Sequence, residues 1–315
     1  MIDFRYHLVS IIAVFLALAV GIVLGTTALN GPVLTDLRRN LERLSDDKRG
    51  LETDVMALRG DVAAADDFAT SVAPALLEGS LDEQRVLLVV TPETPANLAE
   101  RLTPLLTQAG AQVTGQLRLL PALSEEGNRQ LVEDLVAEVV PAGLDLPDGE
   151  PAERAAVELA AALGRQPGGD GIEVTEAQAV LAAFEEADLV QFTGQAKQLV
   201  QATGVIVLGA PAPEAEPDEQ AVAARDALLS LAGAFDDAAG GVVVAAPAGS
   251  AAGGGLLEVL REDSGTAGRV SGVDNADRGI GMVAVVRALA EQLRGVVGQY
   301  GSGAGATGPL PSPAP

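Results

Sequence analysis

The chain has 315 residues, with 20 Lys and Arg against 44 Asp and Glu for a formal net charge of −24, no Cys, no Trp and one His. That balance excludes a binder of phosphate backbones, which needs a basic footprint, so no nucleic-acid partner is expected. The missing Cys and the single His7 exclude a disulfide framework, a thiolate metal site, a cysteine nucleophile and a His-based triad.

The first element is a membrane segment. No charged side chain occurs from Leu8 to Thr35, and residues 8–25, LVSIIAVFLALAVGIVLG, are almost wholly apolar. About 20 helical residues at 1.5 Å each cross a ~30 Å hydrocarbon core. A cleaved signal peptide is the rival reading, with Arg5 as its charged start and Thr26-Thr27-Ala28 as a cleavage site. The long apolar run, the nearly neutral start (Asp3 against Arg5) and the helical continuation favour an uncleaved anchor over residues 1–30. The N-terminus is expected in the cytoplasm and the acidic, Cys-free bulk outside the membrane.

A heptad stalk follows over residues 31–72, after the break expected at Gly31-Pro32. With Leu34 as a, the a positions are Leu34, Leu41, Lys48, Val55 and Val62, and the d positions are Leu37, Leu44, Leu51 and Leu58. Leu at each d position favours two strands, and a lone Lys at a specifies oligomer state at some cost in stability. A single helix lying on the globular domain would not need a 3.5-residue period over about four heptads. The expectation is a parallel homodimeric coiled coil.

Residues 80–300 alternate strand and helix patterns. Short apolar runs at 85–90, 204–209 and 241–246 end in Thr-Pro, Ala-Pro and Pro, and weaker strands are expected at 112–119, 187–192 and 269–273. Helical patterns fall between them, at 95–109, 124–140, 151–163, 175–187, 218–235, 254–262 and 279–294. Continuous apolar strands separated by helices predict an α/β fold: a doubly wound, mostly parallel open sheet of four to six strands, Rossmann-like or flavodoxin-like. The tail 301–315, uncharged and rich in Gly and Pro, is expected to be disordered.

Candidate chemistry is sparse. Ligands of open parallel sheets bind beyond the carboxyl ends of the strands, which singles out Ser250, Gly253, Gly254 and Gly255 after one strand and Asp274 and Asn275 after another. The amides of the Gly-rich loop suit an anion, although a plain tight turn explains the same residues. Asp277 or Asn275 as an N-cap accounts for the second cluster without a ligand. Gly303-Ala-Gly-Ala-Thr-Gly308 matches G-x-G-x-x-G but lies in the tail with no strand before it, so no metal, no cofactor and a non-enzymatic protein are expected.

The start MIDFRYHLVSIIAVFLALAVGIVLGTTAL resembles the actinobacterial copper transporter family, also called the MctB family. So do the strand 85–90, the strand 205–209 and a C-terminal signature, Val270-Ser-Gly-Val-Asp-Asn275 followed by Gly279, Gly281, Gly295 and Gly298-Gln-Tyr-Gly301. The resemblance implies a single-pass cell-membrane protein with an extracytoplasmic domain and a role in copper homeostasis or export. Some relatives are instead linked to cell separation, and the alternative is a non-enzymatic dimeric scaffold acting with a second membrane protein of the envelope to regulate septal peptidoglycan hydrolysis. Either reading places the chain in contact with the lipid bilayer.

Overall fold

A computed structural model describes residues 4–169, 171–194, 199–213, 215 and 217–311, with the side chains of residues 4, 5 and 26–36 outside the description. The chain forms two compact units, Met1–Ala64 and Ala65–Pro315.

The first unit is helical throughout its described length and belongs to α1 (Phe4–Leu77). Its segment Tyr6–Gly25, with mean hydropathy 2.9, is the one helix among the described residues long and apolar enough to cross a membrane. The helix does not break at Gly31-Pro32, where the sequence suggests a boundary. An interior proline costs about 3 kcal/mol, but propagating an existing helix is far easier than nucleating a new one. Leu37, Leu41, Leu44, Leu51, Val55, Leu58 and Val62 lie along this helix at 39–66% exposure. Lys48 reaches one turn on to Glu52 at 3.5 Å. The Leu34 side chain lies outside the described set.

The last turns of α1 belong to the second unit. Ala69, Ala73 and Leu77 are buried, the last two against one face of its sheet, so the stretch expected to close the stalk at 72 is partly core of the α/β unit. After it come β1 (Arg85–Val90), α2 (Ala96–Gln108), β2 (Gln112–Leu119), α3 (Arg129–Val139), α4 (Pro151–Leu163), α5 (Val174–Glu186), β3 (Val190–Gly194) and β4 (Gly204–Leu208). Then follow α6 (Glu219–Ala238), β5 (Val242–Ala246), α7 (Leu256–Glu262), α8 (Ser264–Ala267), β6 (Ser271–Asp274), α9 (Gly279–Gln292) and β7 (Gln299–Tyr300).

The sheet has seven strands among the described residues, in the order β3-β2-β1-β4-β5-β6-β7, rather than the four to six expected. All neighbours pair parallel except β2 and β3. The shift of β3 from the expected 187–192 follows from Asp188, whose φ of 54° turns the chain after α5. Helix α3 starts at Arg129 and not at 124, because Pro121–Leu123 and Glu126–Asn128 form single 3₁₀ turns.

Helices cover both faces of the sheet, which is why the central strands read as unbroken apolar runs. Leu87, Val89, Val205, Val207, Val242 and Val244 face Leu159 of α4, Phe184 of α5 and Phe235 of α6. Val86, Leu88, Val90, Ile206, Leu208 and Val243 face the end of α1, α2 and α9. Each such side chain contributes about 1.5–3 kcal/mol on burial. Helix α9 is seated by α1: the Gly279 amide donates to the Asp66 carboxylate at 2.7 Å. A Cβ at Gly279 would come within 2.8 Å of the Asp66 carbonyl oxygen, so only glycine permits this approach.

Residues 301–311 are ordered against β6, contrary to the expectation for the tail. The amides of Ser302 and Gly303 donate to Asp274 at 2.8 and 3.0 Å, and the Thr307 amide donates to the Gln299 carbonyl at 2.7 Å. A buried carboxylate needs donors, and the flexible Gly-Ser segment can bend to supply them. Gly301, at φ +127°, lies where a Cβ would clash with that carboxylate. Residues 312–315 lie outside the described set.

Candidate functional site

The strand order reverses between β1 and β4. Connections leave to opposite sides there, so the loops beyond the carboxyl ends part and a crevice opens. It is a cleft of about 670 Å³, lined by Thr91–Glu93, by Leu119, Leu120, Pro121, Leu123 and Ser124 after β2, by Ala210–Pro213 after β4, by Pro217, Asp218, Arg225 and Leu228 at the start of α6, and by Gly254–Leu256. That volume lies within the range of small-molecule sites.

The walls are held by short polar ties. The Thr94 hydroxyl accepts the Thr91 amide at 3.0 Å and donates to the Leu208 carbonyl at 2.7 Å, joining the exits of β1 and β4. Asp218 caps α6 by accepting the Ala221 amide at 2.8 Å. Arg225 donates through Nη1 to the Gly254 carbonyl at 3.1 Å and through Nε and Nη2 to Asp226 at 3.1 and 3.0 Å.

The residues singled out from the sequence separate into two places. Gly254 and Gly255 line the cleft, while Ser250 and Gly253 are not part of its lining. The loop closes on itself: the Gly254 amide donates to Glu258 Oε2 at 2.6 Å, the Gly255 amide to the Ala252 carbonyl, and the Ser250 carbonyl accepts the Leu257 and Glu258 amides. The Ser250 hydroxyl is buried without a partner. The amides of Gly254 and Gly255 are therefore engaged within the loop, not open to an anion.

Asp274 and Asn275 are not brought to the cleft. Asp274 is 1% exposed and pairs with Arg261 at 2.7 Å. Arg261 also donates to the carbonyls of Ala304 and Tyr300, at 2.8 and 2.9 Å. The Asn275 side chain is buried and its Oδ1 has no partner. Neither Asn275 nor Asp277 caps α9, as one reading of the sequence suggests. Asp277 instead accepts the Ala248 amide at 2.6 Å, and Asp66 serves α9.

Two further buried acids stand out. Tyr300 donates to Glu291 at 2.5 Å, and burial together with this bond raises the phenol above its ordinary range. Glu158 on α4 is fully buried with neither oxygen partnered, and burial pushes its carboxyl up to about 7 against the opposing charge of Arg154. Among the described residues, no group of three or more His, Cys, Asp or Glu side chains is placed to hold a metal ion.

Glu93, Pro211, Asp218, Arg225 and Leu228 were not singled out from the sequence. Their common signal is the reversal of strand order, which no local pattern carries.

Residues 1–311 match the family model described as "Copper transport outer membrane protein, MctB". The chain belongs to the MctB family. It is 30% identical over 313 residues to the "Copper transporter MctB" of Mycobacterium tuberculosis and to that of Mycobacterium bovis, covering 97% of this chain and 98% of each relative. The Mycobacterium leprae protein of the same name is 27% identical over 323 residues, covering 98% of each chain. Within the C-terminal signature, Asp274 anchors the tail and Gly279 admits the close approach of α1.

Proposed function

We propose that the protein is a membrane-anchored envelope protein that takes part in copper transport, with copper as cargo and not as a resident ion. The observation that carries this reading is the membrane-length helix Tyr6–Gly25 in a chain that matches the copper transport family over residues 1–311. The N-terminus lies in the cytoplasm and the α/β unit outside. Cu(I) prefers thiolate or thioether and Cu(II) imidazole. The chain has no Cys, a single His7, and only Met1, Met56 and Met282, the last of them buried in the core. One helix does not enclose a pore, so a path for copper needs further copies or a second membrane protein. The exposed heptad leucines support a parallel coiled-coil homodimer as the first step of that assembly. The α/β unit serves as a Rossmann-like binding module without a catalytic role.

A deletion strain tested for copper sensitivity and for chained, unseparated cells decides the reading. Copper sensitivity with normal separation is the expected result. Chaining with normal copper tolerance would overturn it in favour of a septal scaffold.

A further inference from the structure

We propose that the cleft between β1 and β4 is a binding site for an apolar organic cation. Three observations determine the chemistry. The walls are aliphatic, with Leu119, Leu123, Leu228 and Leu256 facing a space of about 670 Å³, so a ligand gains its affinity by withdrawing apolar surface from water. The cation and the helix start that would attract an anion are already engaged. Arg225, the one cation of the lining among the described residues, is held by the Gly254 carbonyl and by Asp226, and Asp218 already accepts the Ala221 amide in the first turn of α6. The rim charge is negative, because Glu93 and Asp218 both line the opening and are exposed to solvent. With no aromatic ring in the lining among the described residues, a bound cation is balanced by these carboxylates and not by a π face. The occupant therefore has an apolar body that fills the crevice and a positive group that reaches the rim. This site is separate from the copper reading and stands or falls independently of it.

The test is titration calorimetry on the full chain in lipid nanodiscs, corrected for empty nanodiscs, with benzyltrimethylammonium and benzenesulfonate as matched probes of opposite charge. Saturable binding of the cation is expected, at least tenfold tighter than that of the sulfonate. Ala224→Trp, which fills the cleft, is expected to weaken the cation at least tenfold. Ala221→Trp, at an exposed lining position, repeats the test should Ala224→Trp fail to fold, as judged by thermal unfolding. Glu93→Gln is expected to weaken the cation several-fold. Absence of saturable cation binding, equal or tighter binding of the sulfonate, or full cation affinity in a folded Trp variant would each overturn the proposal.

Discussion

The carboxyl edge of the sheet treats polar groups in opposite ways at one end and at its middle. At β6 and β7, Arg261 and Asp274 are 6% and 1% exposed as side chains, and each is met by several partners. At β1 and β4, the polar groups tie the walls together and leave an apolar space open to solvent. Both places lie beyond the carboxyl ends of strands, but only β1 and β4 flank the point where strand order reverses and α/β proteins bind ligands. The difference shows that an acidic residue at a strand's carboxyl end is not by itself a binding residue. What matters is whether the chain returns to occupy it, as residues 301–311 do for Asp274.

The contrast can be broken by substitution. Asp274→Ala leaves the Arg261 charge buried and unpaired, and is expected to cost about 3–5 kcal/mol, measured by denaturant unfolding. If Asp274 is structural, Arg261→Met with Asp274→Ala recovers part of that loss. An unchanged midpoint for Asp274→Ala would return it to the list of ligand-binding candidates.

Glu158 lies on the helical layer that shares its face of the sheet with Leu119, Leu228 and Leu256 of the cleft, and it inverts the logic of Asp274, being buried without partners. Its carboxyl is raised from 4.5 to about 7 in the folded state. The folded protein therefore holds this proton more tightly than the unfolded chain. The associated stability is fully present below 4.5 and is lost as pH rises through about 7. The shift corresponds to roughly 3 kcal/mol at most. Glu158→Gln is expected to stabilise the protein near pH 8 and to leave it almost unchanged near pH 4. Equal effects at both values would contradict an unpaired, buried acid.

Tyr300→Phe removes the donor to buried Glu291 and is expected to cost about 1–3 kcal/mol, with the loss read as a lower denaturant midpoint. The smallest effect belongs to the exposed part of α1, where Lys48 and Glu52 form a pair. Glu52→Ala is expected to change stability by about 0.5 kcal/mol or less. A larger loss would mean that this pair is covered by a partner.

The sequence by itself determined the membrane-length helix, the heptad positions, the α/β alternation and the strands β1, β4 and β5, because each is written in a local period that backbone geometry imposes. It also showed that the ligands copper prefers are scarce, with no Cys, one His and three Met. Only the tertiary structure decided which strand ends lie side by side, and so where the cleft opens. It also decided that Asp274 is saturated by residues 28 and 29 positions away, and that the last turns of α1 join the core. These outcomes depend on burial and hydrogen-bond satisfaction between segments distant in sequence. A pattern read along the chain holds no record of which distant donor will reach a given carboxylate.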